Sequence, residues 1–243
     1  MQKTYDYAIV GGGILGLSVA YKLKEKFPEA SIILIEKEKE LSAHQTGNNS
    51  GVIHSGLYYT PGSLKAENCL VGRHELVKFA EKHNIPHDIC GKVIVATHKD
   101  ELPFMEKIYQ NGIANKIEGV RKITADEVKE IEPFVESIGG IHVPCTGIID
   151  YKAMVYKLAE LVKNASVPAN IVMGEEVIGV EKGEISELIT NKNKYKAKNL
   201  IFCGGLQADR LAKKDKVEIK EQIVPFRGDY YELTEEAKHK VRQ

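Results

Sequence analysis

The chain has 243 residues, and its 34 Lys+Arg are balanced by 34 Asp+Glu, so no basic excess points to nucleic acid or an anionic membrane surface. That length allows one large or two small domains with a substantial buried core. No apolar run reaches the roughly 18 residues of a membrane span. Met1-Gln2-Lys3-Thr4-Tyr5-Asp6 passes almost at once into a strand-like run, so neither a signal peptide nor a spanning helix is expected. A cytoplasmic location, with peripheral contact to the inner membrane as the variant, is the expectation. Cys69, Cys90, Cys145 and Cys203 are scattered without a C-x-x-C pair and read as ordinary thiols; no metal site is expected, and His83, His87 and His142 show no ligand pattern.

The most informative stretch is residues 5–36. Tyr7-Ala8-Ile9-Val10 reads as a strand buried on both faces of a parallel sheet, and Gly11-Gly12-Gly13-Ile14-Leu15-Gly16 follows directly. Beyond the glycines, Ile14, Leu15, Leu17, Ala20, Leu23 and Phe27 recur at helical spacing. Gly11 permits the tight turn, Gly13 lets the backbone approach a pyrophosphate, and Gly16 lets helix and strand pack closely. The helix start at Ile14 and Leu15 offers N–H groups and a positive dipole end to phosphates. A second strand over 31–35 ends in Glu36, followed by Lys37; a carboxylate there accepts from ribose hydroxyls and repels a 2′-phosphate. Strand, glycine turn, amphipathic helix and acid together predict a dinucleotide, FAD or NAD rather than NADP.

A polar loop over 41–51 leads into Val52-Ile53-His54-Ser55-Gly56-Leu57-Tyr58-Tyr59, long for such a connection, as functional loops often are. The spacing predicts a helix over 62–83, with Lys65 and Arg73 on its solvated face, then a strand over 92–97 and a helix over 100–111. Thr124-Ala125-Asp126-Glu127 is a capping box that opens a short helix, and 140–144 reads as a strand. From Asp150, a candidate N-cap, the period is helical again. Strands follow over 169–173, 176–180, 186–190 and 199–203, the last running into Gly204-Gly205. A short helix over 207–213 and strands over 219–224 and 227–233 close the prediction.

These residues resemble a known family. Gly11 to Glu36, then Gln45-Thr46-Gly47-Asn48-Asn49-Ser50-Gly51-Val52-Ile53-His54-Ser55-Gly56-Leu57-Tyr58-Tyr59, look like the D-amino-acid-oxidase-like FAD oxidoreductases, and within them the L-2-hydroxyglutarate oxidases and dehydrogenases. Thr146-Gly147-Ile148-Ile149-Asp150-Tyr151, Cys203-Gly204-Gly205 and Pro225-Phe226-Arg227-Gly228-Asp229-Tyr230-Tyr231 support the narrower match. The resemblance implies an α/β fold: a Rossmann-like, glutathione-reductase-like FAD-binding domain with an inserted α+β substrate domain. The expected division is 1–84 with 145–215 for FAD, and 85–144 with 216–243 for substrate. Family members run further, so the chain reads as truncated, with the C-terminal part missing.

The implied reaction is oxidation of a 2-hydroxy acid, L-2-hydroxyglutarate first, to the 2-oxo acid by hydride transfer to flavin N5. The electron acceptor is left open among oxygen, a quinone and an electron-transfer protein. By the same resemblance the FAD pyrophosphate lies at Gly11 to Gly16 and the ribose at Glu36, with Thr46, Asn49, Ser50, Gly51 and Val52 beside the flavin ring. Val177 would meet the adenine, and Cys203, Gly204 and Gly205 the phosphate side, although Val177 by itself reads as an ordinary core valine. The reaction needs a base and a cation for carboxylates. His54 is the candidate base; a hydrogen-bonded core histidine and a covalent flavin attachment point are its other readings. Arg227, between Phe226 and Gly228, is the candidate carboxylate fork, with a structural ion pair to Asp229 or Glu232 as the alternative. Tyr58 and Tyr59 are the hydroxyl donors. Competing functions are another oxidoreductase of the family, acting on an amino acid or glycerol 3-phosphate, an inactive FAD-binding fragment, and an NAD-dependent dehydrogenase.

Overall fold

A computed structural model describes residues 3–242. In chain order its elements are β1 (Thr4–Val10), α1 (Ile14–Lys26), β2 (Ile32–Glu36), β3 (Val52–Ile53), α2 (Leu64–His83), β4 (His87–Asp88) and β5 (Lys92–Ala96). They continue with α3 (Leu102–Ala114), β6 (Arg121–Ile123), α4 (Ala125–Ile131), β7 (Gly139–Val143), β8 (Gly147–Ile149) and α5 (Tyr151–Lys163). Then come β9 (Asn170–Met173), β10 (Val177–Glu181), β11 (Ser186–Thr190), β12 (Lys194–Phe202) and α6 (Ala208–Lys214). The described chain forms two compact units, Met1–Ser50 with Tyr151–Gly228 and Gly51–Asp150 with Asp229–Gln243.

The first unit is built on a six-stranded sheet in the order β10-β11-β12-β1-β2-β9. The four strands β12, β1, β2 and β9 run parallel, and β10 and β11 add an antiparallel edge. Ile32, Ile33, Leu34 and Ile35 of β2 are all buried, as an unbroken apolar run must be when both faces of a parallel strand are covered. Around the sheet, Ala8, Val10, Ile33, Ile35, Val177, Leu188, Ala197 and Leu211 form one core cluster. Leu17 and Ala20 of α1 are buried, the small Ala20 allowing close approach. The order matters for function: β2 lies on one side of β1 and β12 on the other, so the sheet changes winding direction between β1 and β12. A crevice opens at such a switch point, outside the C-terminal ends of the strands.

The second unit holds two three-stranded antiparallel sheets, β3-β8-β4 and β5-β7-β6, with α2, α3 and α4. Its core gathers Leu57, Ile108, Ile117, Ile141 and Val143. Ser63 caps α2 by accepting from the Ala66 N–H, and Asn84 in the left-handed region ends it. The capping box at α4 forms as its sequence signature predicts: Thr124 Oγ1 accepts from Glu127 N at 3.2 Å, and the Glu127 carboxylate accepts from Thr124 N at 2.8 Å.

The structure departs from expectation in two places. Arg73 is not on a solvated face: it is buried, pairs with Glu118 and donates to the Cys145 carbonyl at 3.2 Å. That tie anchors α2 within the segment 51–150, which the second compact unit contains. The predicted strands over 219–224 and 227–233 do not form, and Phe226 and Tyr231 are more than nine-tenths exposed. Alternating apolar residues make a strand only when a neighbour satisfies its N–H and C=O groups, and this segment pairs with no strand among the described residues.

Candidate functional site

A cleft of about 1060 Å³ opens at the switch point of the first unit, at the upper end of the range for small-molecule and cofactor sites. Its walls combine the predicted turn (Gly11, Gly13, Ile14, Leu15), the end of β2 (Glu36, Lys37), the loop residues Thr46 and Asn49, and Val177, Cys203, Gly204 and Gly205. Residues separated by nearly 200 positions in sequence thus share one concavity, because β1 and β12 are neighbours in the sheet.

The turn is shaped by close approach. Gly11 has φ +116°, and a Cβ there would sit 2.3 Å from the carbonyl oxygen of Cys203. A Cβ on Gly16 would lie 1.9 Å from the carbonyl oxygen of Gly11. Both glycines are therefore required by the backbone itself, before any ligand arrives. Gly16 does not line the cleft; it sets the distance between α1 and β1. At the helix start Gly13 has no side chain with which to cap α1, and the Thr46 hydroxyl does so instead, accepting from Ile14 N at 3.1 Å.

Glu36 is buried and holds the turn as well as facing the cleft. One carboxylate oxygen accepts from Gly12 N at 2.6 Å and the other from Glu38 N at 2.9 Å. Each carboxylate oxygen has two lone pairs, so this arrangement fixes the group while leaving acceptor capacity for a ribose diol. Lys37 pairs with Glu38 at 2.6 Å. Val177 is buried at the start of β10, and its carbonyl accepts from Lys214 Nζ at 2.7 Å. Burial pushes the Cys203 thiol above its ordinary pKa, so it is protonated at neutral pH beside the glycine turn.

Three of the residues predicted beside the flavin ring lie outside this cleft. Ser50 closes the first segment of the first unit and is exposed. Gly51 and Val52 belong to the second unit: the Gly51 carbonyl accepts from Ile149 N at 2.8 Å, and Val52 pairs with Ile148. Sequence reasoning missed Ser42, Glu175, Arg210 and Lys214 in the cleft wall. Arg210 and Lys214 could have been found as an i, i+4 pair on one face of α6, directly after the second glycine turn.

The candidate substrate groups divide between the units. His54, Tyr58 and Tyr59 lie together on the β3–α2 connection of the second unit, whereas Arg227 belongs to the first and is exposed outside any strand. His54 remains in contact with solvent, but desolvation first, and then the charges of Lys92 and Lys65, hold its pKa below the ordinary imidazole value. Lys92 Nζ stands over the Tyr58 ring at 4.9 Å from its centroid, and Lys65 Nζ over the Tyr59 ring at 4.4 Å. Burial raises the Tyr58 phenol, so both hydroxyl and imidazole are neutral near pH 7. A neutral imidazole can take a proton and a neutral phenol can donate a hydrogen bond to an oxygen beside it.

With this geometry in hand, comparison with known proteins defines the class. The chain belongs to the FAD-dependent oxidoreductase (DAO) family, whose model matches residues 6–243. It is 45% identical over 242 residues to the L-2-hydroxyglutarate dehydrogenase of Indibacter alkaliphilus, covering 98% of this chain and 60% of that protein. It is 42% identical to the L-2-hydroxyglutarate dehydrogenase of Escherichia coli K12, covering 96% of this chain and 55% of that one. Among solved structures, the dithionite-reduced, FAD-bound L-α-glycerophosphate oxidase of Mycoplasma pneumoniae superposes with a TM-score of 0.81 at 29% identity, covering 88% of this chain and 57% of that one. The chain thus spans somewhat over half the length of the relatives it matches. Family membership selects FAD between the two dinucleotides that the βαβ unit leaves open. The described residues fit its AMP and pyrophosphate half: a bare glycine turn at a helix N-terminus, an oriented acid at the end of β2, and a cleft running between them. Among the described residues no helix is long and apolar enough to cross a membrane.

Proposed function

We propose that this chain carries the FAD-binding and substrate-handling parts of an oxidoreductase that converts L-2-hydroxyglutarate to 2-oxoglutarate. The observation that carries this reading is 45% identity to an L-2-hydroxyglutarate dehydrogenase over 98% of the chain. The first unit is the FAD-binding domain and the second the substrate domain. Glu36 accepts from the adenosine ribose, the N–H groups of Gly13 and Leu15 face the pyrophosphate on either side of Ile14, whose own N–H is held by the Thr46 hydroxyl, and Cys203, Gly204 and Gly205 flank it. Val177 lies against the adenine, with Lys37 at the rim. Thr46 and Asn49 orient the loop that continues through Ser50, Gly51 and Val52 towards the ring.

Bound FAD supplies the hydride acceptor at its N5. The chain's own part is acid–base and electrostatic. An imidazole nitrogen of His54 takes the proton of the substrate hydroxyl as the carbinol C–H pair departs as hydride and the C=O bond forms. The lowered pKa of His54 favours this role, because a ring already protonated at neutral pH could not accept. Arg227 offers a planar fork to one carboxylate, and Tyr58 and Tyr59 present hydroxyls to the polar end of the substrate. The final acceptor is oxygen, a quinone or an electron-transfer protein; a quinone would bring peripheral contact with the inner membrane, on a chain otherwise cytoplasmic.

Anaerobic addition of L-2-hydroxyglutarate to the FAD-loaded protein should bleach the oxidised-flavin absorbance near about 450 nm, whereas glycine and glycerol 3-phosphate should not. Bleaching by either of those in place of the hydroxy acid, or by none of the three, would overturn the assignment.

A further inference from the structure

Most buried or partly buried cations among the described residues have visible partners. Arg73 is paired with Glu118, and the buried Lys24 donates to the Ala30 carbonyl. Lys92 differs. It opens β5, is partly buried, and has the Tyr58 ring as its neighbour in place of a carboxylate. Burial, only partly opposed by Cys145, lowers its pKa. Desolvating an ammonium without a counter-ion is costly, and a ring face returns only part of that cost.

Lys65, exposed to solvent, is a second cation beside His54. It stands in the first turn of α2, a helix of 20 residues whose positive dipole end disfavours a cation, and Glu67 is the one acid of that turn. Its ammonium is likewise placed over an aromatic ring, that of Tyr59. Among the described residues neither Lys65 nor Lys92 forms an ion pair with a carboxylate. Both charges act on His54, which they flank from α2 and from β5. Two ammonium groups, each over a tyrosine ring, thus act together on the neutral imidazole of His54. A bound anion would give Lys92 the counter-charge that the Tyr58 ring replaces only in part, and would meet Lys65 as well.

We propose that Lys92 and Lys65 form a carboxylate-binding pair beside His54, taking one carboxylate of a dicarboxylate substrate. The identity of the substrate rests on the preceding functional reading; the existence of an anion site does not. The ammonium groups donate charge-assisted hydrogen bonds to the carboxylate, and the aromatic rings behind them fix the stems. In the liganded state the anion offsets the cationic field at His54.

The test uses glutarate, a dicarboxylate that cannot be oxidised at a carbinol carbon, as the probe. Thermal unfolding of the full chain is followed with increasing glutarate and, as control, sodium chloride at matched ionic strength. The wild type should be stabilised by glutarate beyond the salt control. Lys92→Met should weaken the apparent glutarate affinity at least about tenfold, Lys65→Met by less, and Lys92→Arg should restore most of it. Melting of Lys92→Met without ligand reports whether the fold is intact. Should that variant fail to fold, Lys65→Met, on an exposed site, still reads the pair. No glutarate stabilisation of the wild type, or equal stabilisation of wild type and both Met variants, would overturn the proposal. The flavin-bleaching experiment is independent: loss of glutarate response in Lys92→Met together with no bleaching by L-2-hydroxyglutarate would keep the anion site and discard the substrate.

Discussion

The two units make their chemistry in different ways. In the first, the cleft is chiefly a product of backbone: a left-handed Gly11 pressed against Cys203, a helix N-terminus, and a second glycine turn at Gly204 and Gly205. In the second, the groups beside His54 are side chains brought from a loop, a helix and a strand. A backbone-made site tolerates almost any surrounding sequence provided the glycines remain, which suits a cofactor half common to many enzymes. A side-chain-made site can be altered one residue at a time, which suits discrimination among substrates.

The largest expected effect tests the backbone half of that contrast. Gly11→Ala places a methyl group 2.3 Å from the Cys203 oxygen at a φ of +116°, so a loss of roughly 3 kcal/mol or more of stability is expected, with no FAD uptake. Urea unfolding and the colour of the purified protein read both. A yellow Gly11→Ala protein of wild-type stability would break the contrast. Next comes Glu36→Ala, which removes a carboxylate facing the cleft and strips Gly12 N and Glu38 N of their acceptor. FAD affinity should fall about 10- to 100-fold, measured by fluorescence titration, while the glutarate response stays intact. A coupled loss of both would mean that the two sites are not separable.

Smaller effects come from carboxylates of the first unit that serve the fold. Glu175 is buried at the cleft wall and accepts from Thr190 Oγ1 at 2.8 Å, Asn193 Nδ2 at 2.8 Å and Tyr195 OH at 3.1 Å. Burial raises its pKa, but these hydrogen bonds outweigh it and hold the group below the usual carboxylate value. Its stabilisation is therefore present above the unfolded-state pKa and lost as pH falls through the folded one. Glu175→Gln should cost about 1–2 kcal/mol at pH 7 and progressively less in acid, as denaturant melts at several pH values would show. The smallest effect belongs to Asp6, whose carboxyl is held at about 2 by Lys198 and by the Ser31 amide and hydroxyl. The depressed value means full stabilisation above about pH 4, lost as pH falls towards 2. Solvent screens the Lys198 pair, so Asp6→Asn should remove less than about 1 kcal/mol at neutral pH. A larger loss would show that charge contributes more to this unit than its glycine-made cleft suggests.

The same contrast explains what could be read from the chain. The βαβ unit was legible in full, because its signals are local: an apolar run, three glycines at fixed spacing, a helical period, and an acid twenty positions after Gly16. The α4 capping box was equally local. The environment of His54 was not, since Lys65 and Lys92 look like any other lysines until the fold sets them over Tyr59 and Tyr58. Arg73 was misjudged for the same reason: its partner Glu118 is 45 positions away, and helical spacing alone does not reveal a buried ion pair. The segment 219–233 failed in the opposite way, since its pattern suits a strand but a pattern supplies no neighbour to bond with.

The hydroxyl of Thr46 has a consequence for how cofactor and loop depend on one another. A single atom both terminates α1 and tethers the connection over residues 41–50. Order in that connection and affinity for an anion at the helix start are then linked through the Ile14 N–H, and each changes the other by the same factor. A protease that cuts this connection slowly in the holoprotein and quickly in the apoprotein would be reading, in time, the free energy with which FAD is held.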